Sequence, residues 1–133
     1  MNNTDIKILC VLNHQLTDDQ IQGLHVLFDG SVTIDVLSNI NSSLADNLKN
    51  TPANIADCAI LADKLLKLTV NYDFIIFPVG SPLFQDVFHQ KNMAFGVPRL
   101  YSDTARDSID VPQLDGSIVK KTVFKHRAWI VCT

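Results

Sequence analysis

Apolar positions along the chain form short continuous runs that are separated by longer segments with helical spacing. The continuous runs cover residues 8–12 and 74–79, apolar and polar residues alternate over the β-branched segment 31–37, and residues 97–101 form one further short segment that is expected to be a strand. Continuous apolar runs of this length are typical of parallel strands that are buried on both faces. The pattern therefore predicts four strands, with the alternating segment as the second of them.

The segments between these runs predict helices. Thr17 is followed three residues later by Gln20, which is the spacing of a capping box at a helix start. Residues 55–68 carry apolar side chains at helical spacing, and residues 82–91 begin with a proline at the first helical position. A shorter helix is expected around residues 44–48, inside a polar loop.

The last part of the chain predicts antiparallel strands. Residues 108–114 and 118–125 flank the dipeptide Asp115-Gly116, a strong hairpin signal. A final strand is expected at residues 128–132.

Strands that alternate with helices and then give way to a hairpin indicate an α/β fold. We expect a Rossmann-like parallel sheet flanked by helices, with a C-terminal β-hairpin. The expected organisation is a single domain, 1–133, in which residues 1–107 form the α/β core and residues 108–133 the hairpin.

The composition of the chain is that of a single globular domain. The chain has 133 residues and is 47% apolar, as expected of one globular domain. No apolar run has the length of a membrane span and no signal peptide is evident, so no membrane partner is expected. The three cysteines are odd in number and widely spaced, which favours a reducing, cytoplasmic location over a disulfide framework or a zinc site.

Charge is distributed unevenly along the chain. The net charge is −3, but residues 99–133 carry six basic and four acidic side chains, whereas residues 1–98 carry five basic and ten acidic ones. A basic C-terminal part on an acidic body favours a local anionic ligand over a long nucleic acid. A solvated hairpin face accounts for the charge equally well. Glutamate does not occur, so any carboxylate chemistry must come from aspartate.

Polar residues follow three of the predicted strands, and the carboxyl ends of parallel strands meet at one edge of a sheet, where ligands bind. These polar breaks are Asn13 and His14, Gly80 and Ser81, and residues 102–104 together with Arg106.

The break at Gly80 and Ser81 also opens a predicted helix, whose free backbone amides can bind phosphate. A plain strand-to-helix turn explains this dipeptide as well, because the spacing of neither a Walker loop nor a dinucleotide fingerprint is present. No two histidines have the spacing of a metal site, and we expect neither a metal nor a cofactor.

Four segments together resemble a known family: Asn13 to Gln20, Phe74 to Ser81, Tyr101 to Arg106 and Val123 to His126. Their sequences are similar to those of the Csx-twenty family, small CRISPR-associated proteins of type III systems. The chain departs from that pattern in having Gly80-Ser81-Pro82 in place of a longer glycine loop, Ala105 before the arginine, and Arg127 after the histidine.

The resemblance implies a CARF-related domain that forms a homodimer and binds a cyclic oligoadenylate. It further implies a ring nuclease that cleaves the ring, cyclic tetra-adenylate in particular, by metal-independent attack of a ribose 2′-hydroxyl on the neighbouring phosphate. This activity would end the antiviral signal. Two alternatives remain: a sensor or sponge that binds the ring without cutting it, and a nucleotide-binding protein unrelated to CRISPR systems.

The catalytic residues that the resemblance implies are His14, His126 and Arg106. His14 would bind phosphate or move a proton, His126 would act as the general acid, and Arg106 would clamp the phosphate.

The expected ligand-binding residues surround these three. Asn13 would contact base or ribose, and Gly80 and Ser81 would donate to phosphate. Thr104 would help to clamp the phosphate, and Lys125 would approach from the hairpin.

Overall fold

The computed structural model of the chain describes residues 5–133, which form five strands and five helices. Their bounds, in chain order, are β1 (Ile6–Cys10), α1 (Asp18–Phe28), β2 (Val32–Val36), α2 (Leu37–Ile40), α3 (Ser42–Lys49), α4 (Ile55–Thr69), β3 (Phe74–Ile76), α5 (Pro82–Phe95), β4 (Arg99–Pro112) and β5 (Ile118–Cys132).

All five strands belong to one mixed sheet with the order β2-β1-β3-β4-β5. Neighbouring strands from β2 to β4 are parallel, whereas β4 and β5 pair antiparallel over their whole length. The predicted α/β class is therefore confirmed, with a parallel sheet that is extended by a C-terminal antiparallel hairpin.

Helices cover both faces of the parallel strands, because successive side chains of a strand point to opposite sides. On one face, Leu9 and Ile75 pack in a buried cluster with residues of α2, α3, α4 and α5. On the other face, Ile8 and Ile76 pack against Leu24 of α1 and residues around it. The continuous apolar runs of β1 and β3 are thus explained by burial on both faces, as the sequence predicted.

The start of α1 has the predicted cap. The Thr17 hydroxyl accepts from the Gln20 backbone amide at 3.2 Å, and the Gln20 side chain accepts from the Thr17 amide at 2.9 Å. This reciprocal pair is the predicted capping box. It also fixes the Gln20 side chain at the end of the β1–α1 connection, where the site described below is formed.

The prediction for β4 was wrong. The fourth strand does not end at Tyr101 but continues to Pro112, so residues 102–104 lie inside a strand instead of forming a polar break after it. Its polar residues stay extended because β5 satisfies their backbone hydrogen bonds, which the sequence of one strand cannot reveal.

The hairpin prediction at Asp115-Gly116 is confirmed, and residues 118–125 and 128–132 form one continuous strand, β5. The pairing changes register between Asp103 and Thr104, whose partners are Ala128 and His126, so Arg127 is the extra residue of a bulge. The predicted boundary between core and hairpin, at residue 107, falls inside β4.

The structure also differs from the sequence-based prediction at the ends of three elements and in one additional helix. β1 and β3 end at Cys10 and Ile76, earlier than predicted, α5 extends to Phe95, and the one-turn helix α2 was not predicted. Within residues 5–133, none of the helices has the length and apolar character that a membrane span requires.

Candidate functional site

A cavity of about 500 Å³ opens between the β1–α1 connection, the first turn of α1 and the middle of the β4–β5 hairpin. It therefore lies beyond the carboxyl end of β1, the edge at which parallel α/β sheets bind ligands. Its walls combine titratable, uncharged polar and apolar side chains: Leu12, His14, Thr17, Asp19, Gln20, Phe77, Pro78, Ser102, Thr104, Phe124, Lys125 and His126.

A chain of hydrogen bonds connects α1 with the hairpin across this cavity. The Gln20 Nε2 amide donates to Ser102 Oγ at 3.2 Å, and Ser102 Oγ lies 2.6 Å from His126 Nδ1. Ser102 Oγ has one proton and two lone pairs, so it can donate to Nδ1 while it accepts from Gln20, and in the tautomer that we assign on this basis the imidazole proton is on Nε2. Gln20 is 7% exposed, so the donor that starts the chain is held rigidly.

The imidazole of His126 is held on its other side by Trp129 and α1. The two ring centroids are 5.1 Å apart, and Trp129 Nε1 donates to the Gln20 carbonyl oxygen at 2.9 Å. A Cβ atom at Gly23 would lie 3.2 Å from Trp129 Cδ1 and 3.3 Å from His126 Nε2. A glycine at this point of α1 therefore lets both rings approach the helix.

His14 enters the same cavity with the opposite hydrogen-bonding pattern. Its Nδ1 lies 3.1 Å from the carbonyl oxygen of Gln15. A carbonyl oxygen only accepts, so Nδ1 is the donor, and Nε2 of neutral His14 has a free lone pair. In these assigned tautomers, the cavity holds one imidazole whose Nε2 can accept a proton and another whose Nε2 can donate one.

Charged side chains complete the cavity wall. Lys125 and Asp19 both line it. Within residues 5–133, Lys125 has no ion-pair partner, whereas its neighbour Arg127 is paired with Asp103 at 3.0 Å. The cation that can serve an anionic ligand here is therefore Lys125.

Residues 6–130 match a protein family described as Uncharacterized protein MJ1673 family. The chain belongs to the MJ1673 family. No curated protein is similar enough to the sequence to be counted as a match. The matched span begins in β1 and ends within β5, so every residue that lines the cavity lies within the MJ1673 family region.

In this MJ1673 family member, the fold brings four of the predicted site residues together. His14, Thr104, Lys125 and His126 all line the cavity. Thr104 is paired with His126 across the hairpin, and its hydroxyl lies 3.4 Å from that of Ser102. Three of the four, Thr104, Lys125 and His126, lie on the β4–β5 hairpin. A hairpin position was expected for Lys125 and His126.

Two predicted residues lie at the margin of this group. Asn13 precedes His14 but is exposed and does not line the cavity. Arg106 is also exposed, and its guanidinium lies over the ring of Phe124, 5.3 Å from the centroid. Phe124 lines the cavity and Arg106 does not, so Arg106 lies next to a cavity residue without being a lining residue itself.

Gly80 and Ser81 are placed apart from the cavity and are engaged in local structure. The Ser81 amide donates to Thr51 Oγ1, and the Thr51 hydroxyl donates back to Ser81 Oγ, both at 3.0 Å. Ser81 Oγ also accepts from the Phe84 amide as the N-cap of α5. These atoms cap a helix and connect it to a loop, which is the plain strand-to-helix turn that the sequence left open.

Sequence reasoning missed four residues that shape the cavity: Ser102 as the partner of His126, Gln20 as its anchor, Asp19 in the wall and Trp129 behind the ring. A signal for Ser102 existed, because extending β4 with strict alternation puts it on the same face as Leu100. The other three depend on the docking of β5 against α1. In the part of the chain described here, no three His, Cys or Asp side chains come close enough to hold a metal ion.

Proposed function

We propose that this protein is a ring nuclease of a type III CRISPR system, which binds cyclic oligoadenylate, cyclic tetra-adenylate in particular, and cleaves it without a metal. The observation that carries the proposal is the pair of histidines in one cavity with complementary hydrogen bonds. In the assigned tautomers, His14 presents a lone pair at Nε2 and His126 presents a proton there. Lys125 lies in the same wall.

This arrangement supports cleavage by the ligand's own ribose. His14 Nε2 would take the proton of the 2′-hydroxyl, whose oxygen attacks the adjacent phosphorus in line. The bond to the 5′-oxygen breaks, and His126 Nε2 gives its proton to that oxygen. The products are a 2′,3′-cyclic phosphate and a free 5′-hydroxyl. Lys125 would stabilise the charge on the phosphoryl oxygens.

The fold is compatible with the proposed Rossmann-like, CARF-related origin. Four parallel strands carry helices on both faces, and the cavity lies at the carboxyl edge of β1. This placement follows the general rule for ligand sites in open α/β sheets.

A homodimer forms part of the proposal because of size. The cavity of about 500 Å³ is in the range of sites for one small molecule, roughly 300–1,000 Å³. A ring of four nucleotides needs a second set of contacts, which a second copy supplies with matching symmetry. The hairpin supports this, since it exposes Ile109, Ile118 and Val119. A monomeric mass by light scattering, with and without the ring, would contradict it.

We further propose a cytoplasmic protein that does not engage membranes or long nucleic acids. Cys10, Cys58 and Cys132 are all free, which fits a reducing compartment. Lys120 and Arg127 are paired with aspartates, which leaves few cations for an extended phosphate backbone.

The deciding experiment incubates labelled cyclic tri-, tetra- and hexa-adenylate with the protein in the presence of a chelator and separates the products by chromatography. Multiple turnovers at substoichiometric protein, with a 2′,3′-cyclic phosphate end, are expected for the tetra-adenylate. Stoichiometric retention without cleavage would make the protein a sensor or sponge. Absence of both binding and cleavage would exclude the CRISPR role.

A further inference from the structure

A second cavity, of about 610 Å³, lies between the outer side of α1 and the end of β5. It shares three lining residues with the first cavity, namely Asp19, Lys125 and His126. The two cavities are therefore adjacent, and the proposed acid His126 and the cation Lys125 stand at the boundary between them.

The ring of His126 is oriented across this boundary. Its Nδ1 is held by Ser102, which lines only the first cavity. Its Nε2 lies 3.3 Å from the position that a Cβ of Gly23 would take, and Gly23 lines only the second cavity. His126 Nε2 thus lies beside a residue of the second cavity, and a leaving group that receives its proton would stand on this side of the ring.

The lining of the second cavity has the chemistry of a purine site. Val26 and Leu27 are apolar and 74% and 42% exposed, so they offer α1 side chains on which a flat base can pack. Gln22 lies on the same helix with an exposed side-chain amide. A glutamine amide matches the N6 donor and N7 acceptor of adenine. Lys125, at the boundary, supplies a charge for the phosphate.

We propose that the second cavity binds the adenosine on the leaving side of the scissile phosphate, with Gln22 reading the base and Gly23 keeping the approach to His126 Nε2 open. This inference rests on the proposed function for the identity of the ligand. Gly23 acts as a positioning residue, because a Cβ there would lie 3.3 Å from His126 Nε2 and would crowd the ring.

The test uses 5′-AMP, which carries a phosphate on the oxygen that would leave. Trp129 lines the second cavity and is the only tryptophan in the chain, so its fluorescence reports binding there. We expect a saturable change with 5′-AMP and at least tenfold weaker binding of 5′-UMP. Gln22→Leu should weaken 5′-AMP binding about tenfold, the lower part of the range for losing a bidentate base contact.

The matched control is Gln90→Leu, an exposed glutamine on α5, far along the chain from both cavities, which should leave the titration unchanged. Gly23→Val should weaken 5′-AMP binding and slow ring cleavage by at least tenfold. If Gly23→Val does not fold, the comparison of Gln22→Leu with Gln90→Leu still decides.

Two results overturn the inference: no saturable response of Trp129 to 5′-AMP, or equal affinities in the two glutamine variants. If rings are cleaved while Gln22→Leu changes neither 5′-AMP binding nor cleavage, the subsite is wrong and the proposed function stands. If 5′-AMP binds and depends on Gln22 while no ring is cleaved, the nucleotide site is supported and the ring nuclease is not.

Discussion

Ser102 Oγ lies 2.6 Å from His126 Nδ1, in a hairpin where the two residues belong to neighbouring strands. The contact sets the orientation of the imidazole, and the Gln20 amide on Ser102 extends it to α1. This short hydrogen bond thus occupies Nδ1 of His126 and leaves Nε2 as the nitrogen that is available to a ligand.

Removing either cavity histidine should slow cleavage without abolishing binding. We expect His14→Ala and His126→Ala each to reduce the single-turnover rate by roughly 10²- to 10⁴-fold, the usual contribution of a general acid or base. The measurement is single-turnover cleavage with saturating protein. The control is His25→Ala, an exposed histidine of α1 that lines neither cavity. Near-wild-type rates in both cavity variants would contradict acid–base catalysis by the histidines. Cleavage would then depend on positioning of the ring and stabilisation of the phosphate charge alone.

Ser102→Ala should affect turnover more than ligand affinity. Without the hydroxyl, His126 Nδ1 loses its partner and the ring can rotate, which we expect to cost about tenfold in rate, or ~1.4 kcal/mol. Steady-state kinetics should show a lower kcat with little change in KM, and a displaced pH profile. A rise in KM alone would instead identify Ser102 as a ligand contact.

Lys125 should contribute more to binding than Arg106. Lys125 lines the cavity without an ion-pair partner in residues 5–133, whereas Arg106 lies over Phe124 outside it. Lys125→Ala should weaken ring binding and flatten its dependence on salt by close to one phosphate contact per site. Binding titrations at several salt concentrations measure this. A larger loss in Arg106→Ala would show that Arg106 reaches the phosphate directly.

Gly80 should be required for stability and not for a phosphate contact. Its φ is +80°, and an added Cβ would lie 2.8 Å from both Phe84 Cδ2 and Thr51 Cγ2. Gly80→Ala should therefore lower the free energy of unfolding by about 2–4 kcal/mol. Gly96→Ala is the matched control, with φ +76° but no atom within 4 Å, and should cost only about 1–2 kcal/mol. Urea unfolding measures both, and equal losses would contradict the steric part of the argument.

Stability should fall as the pH drops below neutrality, in part because of His89. Partial burial and the charge of Arg99 lower the pKa of His89 from its ordinary value of 6.5, although Asp86 acts in the opposite direction. Arg99 donates to His89 Nδ1 at 2.8 Å, so the neutral ring is the form that the fold accepts. The folded state then binds fewer protons than the unfolded chain, and this stabilisation is present above pH 6.5 and lost as the pH falls through the lowered value.

The measurement is the free energy of unfolding between pH 7.5 and 5. His89→Gln should flatten the decline, whereas the exposed His25→Gln should keep it. An unchanged decline in His89→Gln would assign the pH dependence to other groups.

The sequence alone determined the features that one element or one turn decides. The apolar runs of β1 and β3, the capping box of Thr17 and Gln20, and the turn at Asp115-Gly116 were all readable and are all present. Each depends on residues a few positions apart, whose spacing matches a fixed local geometry. For the same reason the α/β class followed from the order of the elements.

Only the tertiary structure decided how far β4 extends and which polar residues meet. Strand β4 continues through Ser102 because β5 pairs with it, and His126 gains its partner through the same pairing. Trp129 and the Gln20 carbonyl are joined across 109 positions of sequence. The turn at Asp115-Gly116 predicts that a hairpin forms, but how far its strands pair and how they dock on α1 depend on the positions of both partners, which the spacing within one segment does not give. The sequence could therefore name His14 and His126, but only the folded chain shows which group holds Nδ1 of each ring.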